Sequence, residues 1–253
     1  MRLLPNLPAE LILAAYERAG GNELEGKSDS PESSSALVAN AFGWFLDRPD
    51  RLPPLPGLDG VTWPAMRVEL EANVRFPWSG GRHPWLDVLV ETPSHVIGLE
   101  SKRYEPYRHR HVPEFSDAFS RDVWPAGMQP YLAMLAALKS QSADLWALDA
   151  AQLVKHALAL STQAKREGKK AALLYLYADP GAWPDGKEIS RAGRAAHEEH
   201  LKAFSKSVQG ADVQFAFTTY RQLCTGWQEA CAKLAAHASA VMSEFRLDHP
   251  AAS

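Results

Sequence analysis

The sequence predicts an α/β fold, a mixed central sheet flanked by helices on both faces. Three observations predict it. Short β-type runs of alternating or continuous apolar residues occur at 66–76, 87–90, 95–99, 171–177 and 213–219. Amphipathic windows of helical period lie before, between and after them. The order is helix, helix, three strands, helices, strand, helix, strand, helix, a meander followed by crossovers, which implies a mixed sheet with covered faces.

Residues 8–19 have helical spacing and stop at Gly20-Gly21. Residues 22–32 are polar and read as a loop. Ser33 or Ser34 opens a second helix running to about Leu46, with Leu37, Asn40, Ala41, Trp44 and Phe45 at helical spacing. Residues 47–64 hold five prolines and two glycines and form a connector. From Met66 to Phe76 the alternation puts Val68, Leu70, Ala72 and Val74 on one face and Glu69, Glu71, Asn73 and Arg75 on the other. After Ser79-Gly80-Gly81 come the strand Asp87-Val88-Leu89-Val90, the turn Thr92-Pro93-Ser94 and the returning strand His95 to Leu99. Residues 103–125 are irregular and rich in Tyr, Arg and His. Helices are expected at 129–141, 145–166 and 188–208, and one long closing helix over 220–245. The whole chain, 1–253, reads as a single domain with its core over about 30–220 and the first and last helices as additions.

A chain of 253 residues, 46% hydrophobic and 23% charged, can build a sizeable core. The net charge of −3 is no global basic signature, so a nucleic-acid enzyme of this composition needs a local basic patch. Cys224 and Cys231, seven apart, fit a reduced, buried pair and a cytoplasmic setting better than a disulfide. No signal peptide is evident, and no apolar run approaches the roughly 20 residues that span a bilayer. A membrane is therefore not an expected partner.

The chemistry concentrates between Pro84 and Lys102. Asp87 lies on one motif strand; Glu100-Ser101-Lys102 ends the next. Strand alternation turns Glu100 and Lys102 to one side and Ser101 to the other. Two carboxylates and an ammonium thus converge at one sheet position. Hard oxygen ligands suit Mg²⁺, which keeps waters and binds phosphates, and a lysine there can stabilise charge on a transferring phosphoryl group. The bland alternative is a salt bridge at a strand end.

These residues resemble the PD-(D/E)XK phosphodiesterase superfamily, the restriction-endonuclease-like nucleases, over roughly residues 30–180. The proline is displaced to Pro84, three residues before the acid. The resemblance implies a core of helix, three strands, helix and strand. It also implies a metal set of Asp87, Glu100 and Ser101 taking Mg²⁺, with Mn²⁺ as substitute, and Lys102 as the catalytic base or charge stabiliser. Glu71 is the upstream acid implied to complete the site, with Glu69 on the same face as its rival. Gln129, opening a helix after Pro125-Ala126-Gly127, is implied to orient the lysine or contact phosphate. Ser34 and Asn40 lie on a helix similar to the first helix of one branch of these proteins, and a buried Asn40 would find its partners in the active site. Gln152 and His156, at i and i+4, match a similar glutamine–histidine helix, or else serve as core or surface.

Arg103, Tyr104, Tyr107, Arg108, His109, Arg110 and His111 form a basic-aromatic stretch suited to phosphates and bases, or a solvated loop. His109 and His111 lack the further Cys or His ligands of a zinc site.

The expected function is a metal-dependent endonuclease of restriction or repair type acting on DNA, with RNA open and a homodimer allowed. Two rivals are a glycosidase using Asp87 and Glu100, which leaves Lys102 unexplained, and a non-catalytic binding or assembly module of the same fold.

Overall fold

The computed structural model describes residues 1–20, 30–108 and 115–247. Five strands form one sheet in sequence order: β1 (Arg67–Asn73), β2 (Trp85–Glu91), β3 (His95–Lys102), β4 (Lys170–Tyr177) and β5 (Val213–Thr219). The first three pair antiparallel, and β3–β4 and β4–β5 pair parallel. Thr92 makes the β2–β3 hairpin tight: its Oγ1 accepts from the backbone N–H of Ser94 and of His95. The mixed sheet has helices on both faces, the arrangement of a restriction-endonuclease-like core.

One face packs against α1 (Ala9–Arg18), α2 (Ser34–Phe42), α6 (Tyr220–Gln228) and α7 (Ala232–Glu244). The other packs against α3 (Gln129–Lys139), α4 (Ala150–Glu167) and α5 (Arg191–Ser207). The apolar residues of β4 serve both layers: Leu174 and Leu176 enter the first core, Leu173 and Tyr175 the second. A strand buried on both faces reads as a continuous apolar run, as this one does.

Caps set the helix starts. Ser33 Oγ accepts from Ala36 N at 3.0 Å. Asp149 Oδ1 accepts from Gln152 N at 2.9 Å, so α4 begins at Ala150 and not at Leu145. Ser190 caps α5, which therefore opens at Arg191, three residues after the predicted start. Gly168 ends α4 with φ +63°, and the chain turns directly into β4.

Two departures from the predicted pattern matter. The closing helix is two helices. A single helix over 220–245 would be about 39 Å long and would overrun the sheet. Instead the chain becomes extended at Cys231 (φ −161°, ψ 157°) and α7 folds back on α6, with Trp227 stacked on His237. Cys224 is buried and Cys231 exposed, both free, so the two do not form a buried pair. The alternation in β1 also breaks. Val68 and Leu70 enter the first core, but Ala72 and Val74 enter the second. Between them Glu71 has φ +49°, a left-handed conformation that costs a non-glycine residue on the order of 1 kcal/mol or more and reverses the facing of the residues after it.

Gly98 in β3 permits one close approach. A Cβ there would lie 2.7 Å from Leu160 Cδ1 of α4 and 2.9 Å from Leu86 Cδ1, so α4 sits directly against the strand.

Candidate active site

The site is built at the C-terminal end of β3 from its alternation. Glu100 and Lys102 share a face, and Lys102 Nζ donates to Glu100 Oε1. Ser101 points the opposite way, and its Oγ lies 2.7 Å from the Tyr220 hydroxyl of α6. The Ser101 N–H donates to Asp87 Oδ2 at 2.6 Å, tying the β2 acid to the β3 backbone. The register pairs Leu70 with Val88 and Ala72 with Leu86, so the strained Glu71 lies opposite Asp87. α4 adds His156, whose Nδ1 lies 3.2 Å from Glu100 Oε2, both side chains only 2% exposed.

These charges settle unequally. Burial pushes the Asp87 carboxyl well above its ordinary value. The Glu100 charge and then Glu71 add to this, against the opposing pull of Lys102 and the Ser101 amide. Burial pushes Glu100 up too, but Lys102 and His156 outweigh it and hold the carboxyl down to about 2. Burial disfavours the Lys102 charge, and Glu100 and Asp87 more than restore it. Glu100 is thus the ionised partner of Lys102, and Asp87 the acid that keeps its proton in the absence of a further cation.

That donor set fits a hard divalent cation. Three carboxylates face one ammonium, and Glu100 Oε2 is buried without a well-formed hydrogen bond. Among the described residues no three His, Cys, Asp or Glu side chains enclose an ion on their own. A cation here would rest on Asp87 and Glu100 and complete its shell with backbone, water or substrate oxygens, as Mg²⁺ does.

The remaining predicted residues divide sharply. Glu69 is engaged by Arg18 at 3.0 Å and Arg67 at 2.8 Å on the surface, which leaves Glu71 as the upstream acid. Asn40 is buried, but its partners are not the active site. Its Oδ1 accepts from Leu4 N at 2.7 Å, and its Nδ2 donates to Arg2 O and Ala36 O at 3.1 and 2.8 Å. It fastens the N-terminal segment to α2. Ser34 Oγ donates to Glu105 Oε1 at 2.6 Å, and Glu105 in turn caps the N–H groups of Arg103 and Tyr104. Arg103 is 6% exposed and donates to the carbonyls of Pro31 and Phe245. Tyr104, equally buried, stacks on Trp183 at 5.3 Å, so its ring is not open to a base. Arg108 is exposed and pairs with Glu32. Arg110, His109 and His111 lie outside the described residues. Gln129 is exposed at the start of α3. That end of α3 lies against Asp212, through the bond from Asp212 N to Gly127 O, and Val213 is level with Val96, four residues down the strands from Glu100. The structure therefore does not bring Gln129 to Lys102.

His156 carried a signal, the i,i+4 pair with Gln152, but nothing in that pair told which strand residue it meets. Tyr220 carried none: it opens α6 one residue after β5 and reaches Ser101 through the fold.

A family model described as REase-ARP, Restriction Endonuclease associating with ARP, matches residues 2–245. No curated protein and no solved structure matches the chain. No described helix is long and apolar enough to cross a membrane.

Proposed function

This chain belongs to the REase-ARP family, restriction endonucleases associating with ARP, and we propose that it is a divalent-metal-dependent phosphodiesterase of the PD-(D/E)XK type that cuts DNA. The observation that carries the reading is the buried acid–acid–lysine cluster of Asp87, Glu100 and Lys102, with Glu100 Oε2 lacking a well-formed hydrogen bond.

Asp87 and Glu100 would hold the ion, with Glu71 adding negative charge beside Asp87. When bound, a divalent ion supplies Lewis-acid polarisation of the phosphate and eases deprotonation of a water. Asp87 gives up its proton as the cation enters, because the added charge reverses the repulsion that raised it. Lys102 then stands beside the phosphate as a compact positive charge and stabilises the extra negative charge of the pentacovalent phosphorus. His156 keeps Glu100 oriented and ionised. The family description also supports an association with ARP.

The test is a cleavage screen with Mg²⁺ and Mn²⁺ on single-stranded, double-stranded, branched and methylated DNA, with RNA as control. Metal-dependent nicking that chelation stops is expected. Retained DNA binding without cleavage under any of these conditions would instead favour a binding module of the same fold.

A further inference from the structure

A second cluster of positive charge lies at the same sheet edge and takes no part in the chemistry above. A cleft of about 230 Å³ opens where β4 and β5 end, and three arginines line it: Arg103, Arg221 and Arg246. Arg103 directly follows Lys102, and Ala178 N donates to Lys102 O at 2.9 Å, so the cleft adjoins the catalytic strand end. Alternation turns Arg103 away from the face that carries Lys102. The cleft and the Lys102 ammonium therefore stand on opposite sides of one sheet edge.

The charge in the cleft is poorly balanced. Arg103 donates to two carbonyls, Pro31 O and Phe245 O, which satisfy donors but neutralise nothing. Burial disfavours its charge, and Arg246 is close enough to disfavour it further, while Glu105 and Glu32 act in its favour from outside the cleft. Arg221 and Arg246 have no ion pair among the described residues. The cleft's one carboxylate, Asp179, lies 3.6 Å from Arg194 and 3.5 Å from the Tyr107 hydroxyl. Thr219 and Gln222 on the rim are closed on each other in the α6 capping box, so the guanidinium groups remain as the available donors. Planar guanidinium groups converging on a small cleft match the geometry of phosphate oxygens.

We propose that the cleft of Arg103, Arg221 and Arg246 binds a phosphate of the nucleic-acid strand that flanks the one cut at Lys102, an assignment that rests on the nuclease reading. A strand crossing the sheet edge would then be held on one side and cleaved on the other. This supplies the local basic patch that a chain of net charge −3 needs.

Arg103 is woven into the fold, so the test uses Arg221→Gln/Arg246→Gln. Anisotropy with a labelled DNA duplex, without divalent metal and in rising KCl, should show affinity lowered about tenfold and a salt slope smaller by about two, one per lost phosphate contact. Calorimetry with inorganic phosphate should show binding to the parent that the double variant loses. Melting temperature monitors the fold. Equal duplex affinity and slope in a parent that does cut DNA would overturn the cleft and leave the nuclease reading standing. A parent that binds phosphate through these arginines but neither binds nor cuts DNA would remove the nuclease reading and the strand assignment with it.

Discussion

Glu100 and His156 meet across the interface between β3 and α4, Oε2 to Nδ1 at 3.2 Å, with neither side chain reaching solvent. They are 56 residues apart in sequence, by their numbers. Lys102 takes one Glu100 oxygen, and the ring of His156 faces the other. The carboxylate at the centre of the site is therefore fixed from two directions before any ligand arrives.

Replacing His156 should loosen that hold. Glu100 titrates near 2 in the folded chain against an ordinary 4.5. A depressed carboxyl stabilises the fold above its unfolded value, and that contribution disappears as pH falls from about 5 towards 2. The full effect is on the order of 3 kcal/mol. In His156→Gln, Glu100 should titrate higher, and acid unfolding should begin at higher pH. Superimposable stability–pH curves for parent and variant would show that His156 only fills space.

Asp87→Ala should abolish Mn²⁺ binding by calorimetry. In the parent, affinity should strengthen with pH, because Asp87 holds its proton above the ordinary carboxylate range and the metal must displace it. Metal should also raise the melting temperature, as a ligand of the folded state does. Unaltered Mn²⁺ affinity in the variant would sink the site assignment.

Lys102→Ala should lower the cleavage rate about 10²–10³-fold while metal and DNA binding largely persist. Lys102→Arg should rescue only partly, since a planar guanidinium does not reproduce a compact ammonium. Parental turnover by the alanine variant would reduce Lys102 to a structural charge.

Asn40→Ala should cost about 2 kcal/mol, because it strips the partners of Leu4 N and Arg2 O. That corresponds to a fall in melting temperature of about 4–8 °C in a chain of this size. DNA affinity should not change. A loss of affinity at undiminished stability would return Asn40 to the nucleic-acid surface.

Glu71→Gly separates fold from function at one position. Glycine adopts φ +49° freely, so the melting temperature should hold or rise, by up to about 1 kcal/mol of stability. Mn²⁺ affinity should fall several-fold as the charge opposite Asp87 is lost. Undiminished Mn²⁺ affinity would exclude Glu71 from the metal environment.

The parts of the site written in local period were legible. Asp87, Glu100 and Lys102 follow from a two-residue alternation and a tight turn, and the five strands from runs of apolar residues. The features that escaped reading depend on partners far along the chain. Asn40 was visibly a buried amide, but its partners are Arg2 and Leu4. Arg103 and Tyr104 looked like a basic-aromatic arm, but Pro31, Phe245 and Trp183 enclose them. The reversal at Glu71 was invisible because a carboxylate gives no sign of a left-handed backbone. The break at Cys231 was hidden because both halves of the closing segment keep helical spacing and only the width of the sheet forbids their joining.

Gly98 acts as a spacer gauge for the acid two residues beyond it. Leu160 rests where its side chain would be, and His156 sits one turn back along the same helix. The distance at which α4 rides over β3 is the distance that puts an imidazole on Glu100. A single methyl group at position 98 would lift the helix like a shim and part that contact, while every acid, base and arginine named above kept its identity. A loss of activity from Gly98→Ala would then mimic an active-site lesion at a position no substrate could touch.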